Sequence, residues 1–248
     1  FLGNLVYPCF AYKIGDVLVD TGPPTARGKL MDYLKKNPPN CVLLTHGEED
    51  HFGNLKVIQD AFDPEVYAHP DAISFLENPD ILDLFWYQRY TWGVPEAANA
   101  TPINLNSPLN VGNIEFQPVS TPGHRDHHLT FYYPEGKAAF TGDIYCGTRI
   151  KMYFPYEKFG DIYDSVEKLT KLDLNEFYCA LRGRISNPQE KLRQKLDYMD
   201  MLRDEVSSLL EKDLSAKEIR KKVLGREQAF YYVTNKDMAK QNLIDSLI

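Results

Sequence analysis

Five of the six histidines fall in two short segments, His46/His51 and His124/His127/His128, and the first is interleaved with carboxylates as His46-x-Glu48-x-Asp50-His51. Neutral imidazoles and carboxylates spaced this closely are the donor set of a hard or borderline divalent metal. A metal so held could activate water for hydrolysis or carry redox chemistry. A lone histidine is more often structural. Here both groups sit at predicted strand-to-loop junctions, not on apolar helix faces. Glu49 is read as a solvated charge of the same polar loop, and His69, in Tyr67-Ala68-His69-Pro70, as a strand-end turn residue.

The segments that must position these donors alternate in pattern. Residues 9–13 and 17–20 read as a hairpin about Gly15-Asp16 that ends at Asp20-Thr21-Gly22. A helix over 25–36 is stopped by Pro38-Pro39, and the apolar run 41–44 has the length of a buried strand that delivers Thr45-His46 to a loop. Leu55, Ile58 and Phe62 predict a second helix, and 65–68 a strand. Residues 73–90 read as one helix rich in aromatics, including Phe75, Phe85, Trp86, Tyr87 and Tyr90, with Trp92 after it. Such a stretch suits either a packed core or the wall of a substrate pocket. Strands return at 114–120, 129–133 and 137–141, with Pro134-Glu135-Gly136 as a turn. This alternation argues for a layered α/β domain.

After Pro188, Leu192, Leu196, Met199, Leu202, Val206 and Leu209 recur every three or four residues, which gives a long helix one apolar face. Ser215 and Glu218 have capping-box spacing, and Asn235 is read as the cap of a last helix. Residues 186–248 are therefore expected to form a helical extension packed on a domain over 1–185.

Composition narrows the function. With 28 Lys+Arg against 35 Asp+Glu, the net charge of -7 offers no general attraction to phosphate backbones, so a small-molecule substrate is expected, not nucleic acid. The chain is 43% hydrophobic and 25% charged, as in an ordinary globular protein. Cys9, Cys41, Cys146 and Cys179 are widely spaced, so they read as small buried residues in a reducing compartment. No run reaches the ~18 apolar residues of a membrane span. The expectation is a cytoplasmic protein, with self-association left open.

Four motifs taken in order are similar to those of the metallo-β-lactamase superfamily. They are Asp20-Thr21-Gly22, the run from Thr45-His46 to Gly53-Asn54, Thr121-Pro122-Gly123-His124, and Thr141-Gly142-Asp143. The resemblance implies an αββα sandwich of two mixed β-sheets flanked by helices. It also implies a first metal held by His46, His124 and Asp143, with Glu48 where the family has its second His, and a second metal faced by Asp50, His51 and Asp143. Asp20 and His128 would then buttress the ligands from behind.

Two positions depart from the pattern. Glu48 brings an oxygen and a charge that favour iron or manganese more than an imidazole would. Flavodiiron proteins share this His-x-Glu-x-Asp-His form, whereas the Pro-Gly-His loop looks more like the glyoxalase-II-like and β-lactamase-like hydrolase branch. The terminal His of the family aligns with Arg184, whose guanidinium cannot donate to a metal. Arg184 is thus either a fixed cation replacing the second metal or a surface residue, and the second site is expected to be impaired. The resemblance implies one or two divalent ions, zinc or iron with manganese as a third option. The expected activity is hydrolysis of a small ester, thioester or lactone, with Asp50 orienting or deprotonating the water. The alternatives are a mononuclear non-haem iron oxidoreductase, similar to persulfide dioxygenases or flavodiiron proteins, and a metal-poor, non-catalytic member.

Overall fold

The computed structural model describes residues 8–248, so the first seven residues of the expected 1–185 domain lie outside the described residues. One sheet runs in the order β1 (Tyr12–Ile14), β2 (Val17–Val19), β3 (Cys41–Leu43), β4 (Glu65–Ala68) and β5 (Thr101–Pro102). Its first pair is antiparallel and the others parallel. The second sheet holds β6 (Leu109–Val111), β7 (Ile114–Ser120), β8 (Leu129–Tyr133), β9 (Ala138–Phe140), β10 (Glu176–Cys179) and β11 (Gly183–Ser186) side by side. Only β9 and β10 are parallel there.

Alternating side chains make the layers. Val17, Val19, Cys41 and Leu43 point inward onto Phe116, Leu129, Phe131 and Phe140 of the facing sheet. Their neighbours Leu18, Val42 and Leu44 point outward, onto Leu34 of α1 (Arg27–Leu34) and Leu55 and Ile58 of α2 (Leu55–Phe62). Both faces of this sheet are thus apolar, as expected of parallel strands covered on both sides. On the far side, Ala139 and Phe177 pack on Ile162, Val166 and Leu169 of α5 (Phe159–Thr170) and on Leu192, Met199 and Leu202 of α6 (Pro188–Leu210). The result is the αββα sandwich of two mixed sheets.

The segment 73–90 is not one helix. It divides into α3 (Ile73–Glu77), a 3-10 turn over Pro79–Leu82 and α4 (Trp86–Thr91). Pro79 has no N–H to continue the ladder, and Asp83 turns left-handed at φ 45°. The break exposes Phe85, Trp86 and Tyr90 while Tyr87 stays buried. Three further helices follow α6: α7 (Ala216–Val223), α8 (Ala229–Val233) and α9 (Lys240–Asp245). The Ser215–Glu218 capping box is formed, with Ser215 N donating to Glu218 Oε2 at 3.0 Å. Asn235 instead sits in a turn at φ 51°, and α9 begins after Ala239. Among the described residues no helix is long and apolar enough to cross a membrane.

Candidate metal centre

The two sheets deliver their polar residues to one rim. Asp20 leaves β2 in the left-handed region at φ 57°, which Asp tolerates better than most residues. Its carboxylate accepts from Thr45 N at 2.8 Å and Thr45 Oγ1 at 2.8 Å, tying the exit of β2 to the exit of β3. The same carboxylate lies 2.8 Å from His51 Nδ1, which turns His51 Nε2 toward the centre. Burial opposes a charge on His51, but Asp20 and Asp50 hold its pKa well above the usual value. That pair of acids stabilises a cation at this spot.

His46 and His124 converge on the other side. His46 is fully buried, and burial together with His51 pushes its pKa well below normal, so its ring keeps a free lone pair. Its Nε2 lies 3.4 Å from Glu48 Oε2 without the alignment of a hydrogen bond. His124 Nδ1 contacts Glu157 Oε1 at 2.8 Å, which leaves Nε2 at 3.2 Å from Glu48 Oε2 and 3.9 Å from Asp143 Oδ2. Asp143 Oδ2 is also 3.6 Å from His51 Nε2, so this carboxylate stands between the two histidine groups.

His128 does not reach the centre. Its Nε2 accepts from Asp143 N at 3.2 Å, and its Nδ1 is 2.9 Å from Thr121 Oγ1. Burial, with His124 next, holds its pKa well below normal, as an accepting nitrogen requires. Gly142 makes this contact possible: at φ 46°, a Cβ there would sit 2.6 Å from His128 Nε2 and 2.8 Å from Thr45 Oγ1.

Glu48 is held through one oxygen. Arg125 Nε donates to Oε1, and Tyr156 OH donates to the same oxygen at 3.1 Å. The Arg125 guanidinium lies over the Tyr156 ring, 3.5 Å from its centroid. Burial disfavours the Glu48 charge, but Arg125 and then His124 outweigh it and keep the carboxyl ionised. Oε2 is left to face His46 and His124.

Other candidates fall elsewhere. Arg184 lies on β11 opposite Tyr178, with 68% of its side chain exposed and paired to Glu176, so the structure does not bring it to the cluster. Leu181 and Arg182, in the turn before it, reach the pocket instead. Glu49 is not solvated: it is buried, accepts from Gln88 Nε2 at 2.7 Å, and is pushed up to about 8 by burial, Asp50 and Glu48. His127 is buried beside Phe75 and pushed down to about 4 by burial and Arg125. His69 accepts from Asp71 N at 3.1 Å as the first residue of a turn. Arg125, Tyr156, Glu157 and Cys9 carried no sequence signal, because each joins the cluster only through long-range contacts. Cys9 Sγ donates to Asp50 O at 3.0 Å.

The residues present fit a metal. Ligand atoms of His46, His124 and Asp143 lie within 4.8 Å of one another, as do those of Cys9, Asp50 and His51. His46 Nε2, His51 Nε2 and Asp143 Oδ1 are buried with no hydrogen-bond partner. Buried polar atoms are normally satisfied by protein, ordered water or a bound ion, and three such atoms meeting at one point suit an ion. Above them opens a pocket lined by Trp92, Ile150, Phe154, Tyr156, Leu181 and Met238.

Comparison with known proteins agrees with this architecture. The family model described as metallo-beta-lactamase superfamily matches residues 7–206, and the chain belongs to that family. A probable metallo-hydrolase of Bacillus subtilis is 24% identical over 168 residues, 65% of this chain and 72% of its own length. A hydroxyacylglutathione hydrolase of Francisella tularensis subsp. novicida is 27% identical over 57% of this chain and 49% of its own. The chain thus spans between half and three-quarters of the length of these curated relatives. A metallo-beta-lactamase family protein from Thermus thermophilus superposes with a TM-score of 0.66 at 21% identity, covering 94% of this chain and 83% of that one.

Proposed function

We propose that this protein is a metal-dependent hydrolase of a small ester, thioester or lactone. The observation that carries the reading is the convergence of His46 Nε2, Glu48 Oε2, His124 Nε2 and Asp143 on one buried point at the floor of an apolar-walled pocket. These four side chains would hold a divalent ion, zinc or iron, with Glu48 adding an oxygen donor. Such an ion supplies the chemistry the side chains lack, lowering the pKa of a bound water to about 7 and polarising a carbonyl oxygen.

The chain's own residues set up the rest. Asp50 lines the pocket, and burial, opposed by His51 and reinforced by Asp143 and Glu48, pushes its carboxyl up to about 6. From the pocket edge its carboxylate would orient a water or take a proton from it and return that proton to a leaving group. Arg125 and Tyr156 fix one oxygen of Glu48, so that only the other is free to donate. Trp92, Ile150, Phe154 and Met238 offer an apolar wall that suits an acyl chain. The exposed Arg184 supports no role as a substitute cation, and the turn before it contributes Leu181 and Arg182 but no imidazole to a second ion. The net charge of -7 supports a small-molecule substrate over nucleic acid, and the four free thiols support a reducing, cytoplasmic setting.

The test is an assay against a panel of esters, thioesters and lactones, before and after chelator dialysis. Turnover of at least one class, abolished by the chelator and restored by added zinc or iron, is expected. Turnover that survives complete metal removal would overturn the reading.

A further inference from the structure

The second metal position lacks a histidine from the far end of the sandwich, yet the space beside Asp50 and His51 is filled by a thiol. We propose that Cys9 is a ligand of a second metal ion, together with Asp50, His51 and the shared carboxylate of Asp143. The inference rests on the reading that His46, Glu48, His124 and Asp143 hold the first.

Three independent features place Cys9 there. Its Sγ lies within 4.8 Å of ligand atoms of both Asp50 and His51. His51 Nε2 is fully buried, has no hydrogen-bond partner, and faces Asp50 Oδ1 at 3.9 Å and Asp143 Oδ2 at 3.6 Å. The segment carrying Cys9 is also fastened to the end of β10: Phe10 N donates to Ala180 O at 2.8 Å, and Tyr12 OH donates to Cys179 O at 2.7 Å. The end of β10 thereby fixes the segment that carries the thiol beside Asp50 and His51.

The chemistry is consistent with the donor set. A thiolate, an imidazole and two carboxylates make a mixed soft and hard site that suits zinc. Ligation requires the thiolate and a neutral imidazole nitrogen, so Cys9 gives up its S–H contact to the Asp50 carbonyl, and the thiol proton and any proton on His51 Nε2 are released to solvent as the ion binds. Cys146 is close by but is not equivalent, because its Sγ donates to the Asp143 backbone carbonyl at 2.8 Å and joins neither donor group.

Cobalt(II) provides the test. The metal-free, reduced protein is titrated with cobalt alone while its near-ultraviolet absorption is followed. Two equivalents per chain are expected, with a thiolate-to-cobalt charge-transfer band. Cys9→Ser should lose the band and one equivalent, whereas Cys146→Ser should keep both. A readout independent of folding in the variants is thiol alkylation of the wild-type protein, in which metal should protect Cys9 and the modified residues are located by mass spectrometry. One equivalent without a thiolate band, two without it, a band that survives in Cys9→Ser, or undiminished Cys9 alkylation in the presence of metal would each overturn the proposal while leaving the hydrolase reading intact. Failure to bind any metal would overturn both.

Discussion

Glu48 differs from the imidazole of the family motif in what must hold it. A buried carboxylate needs positive neighbours to stay ionised, and Arg125 and His124 provide them. One anionic oxygen is held by Arg125 and Tyr156 and the other faces His124 Nε2 at 3.2 Å, so in the proposed centre Glu48 would donate through one oxygen. Asp50 is the opposite case, with burial raising its carboxyl to about 6. Asp50→Asn is expected to lower kcat by about 10²–10⁴-fold with a smaller effect on KM, measured by steady-state kinetics on whichever ester or thioester is turned over. An unchanged kcat would remove Asp50 from proton transfer. At this scale the sequence is most legible where donors are neighbours in the chain, as in the six residues from His46 to His51. It is silent on Glu157 and Arg125, because the contacts that matter span 33 residues from His124 and 77 from Glu48. Arg184 illustrates a related gap: the tight β10–β11 turn decides which residue reaches the pocket, and so short a connection carries no periodic pattern.

Strands and helices act on the centre mainly through their ends. The loop between β7 and β8 carries His124 and His128 and is pressed onto the first turn of α5. Gly123 allows that approach: it lies at φ +128°, and a Cβ there would be 2.4 Å from the backbone N of Ile162. Because backbone, not a flexible side chain, would be struck, Gly123→Ala should destabilise the protein by about 1–3 kcal/mol. A lower urea midpoint with weakened metal retention is expected; an unchanged midpoint would show that α5 does not clamp the loop. The apolar run 41–44 and the alternation of Ile114 and Phe116 with Glu115 and Gln117 make their strands legible from residue order alone. The helix α5 is less legible, although Phe159, Ile162, Val166 and Leu169 have helical spacing, because that stretch carries no motif to draw attention to it. The segment 73–90 misleads for the converse reason: apolar residues recur on both sides of Pro79, where the helical backbone cannot continue.

Across the whole molecule, the helices after residue 186 share apolar contacts with the sandwich. Leu192, Met199 and Leu202 of α6 are buried with α5 and β10, and Tyr87 of α4 donates its hydroxyl to Asp237, between α8 and α9. Leu202→Ala is therefore expected to cost about 2–5 kcal/mol and to keep one cooperative unfolding transition, followed by calorimetry. Two separated transitions would mean that the helical extension unfolds on its own. The long apolar face of α6 is readable from spacing; which surface it covers is not, because that depends on the tertiary position of α5. The same dependence governs the centre, where donors from the exits of β3 and β9 and from the β7–β8 loop meet only once both sheets have packed. The most direct measurement of that convergence is the metal content of the wild-type protein beside that of Asp143→Ala, both purified without added metal. At least one equivalent of zinc or iron in the wild type and its loss in Asp143→Ala is the predicted result. A variant that folds and keeps the wild-type metal content would contradict the assignment of the centre.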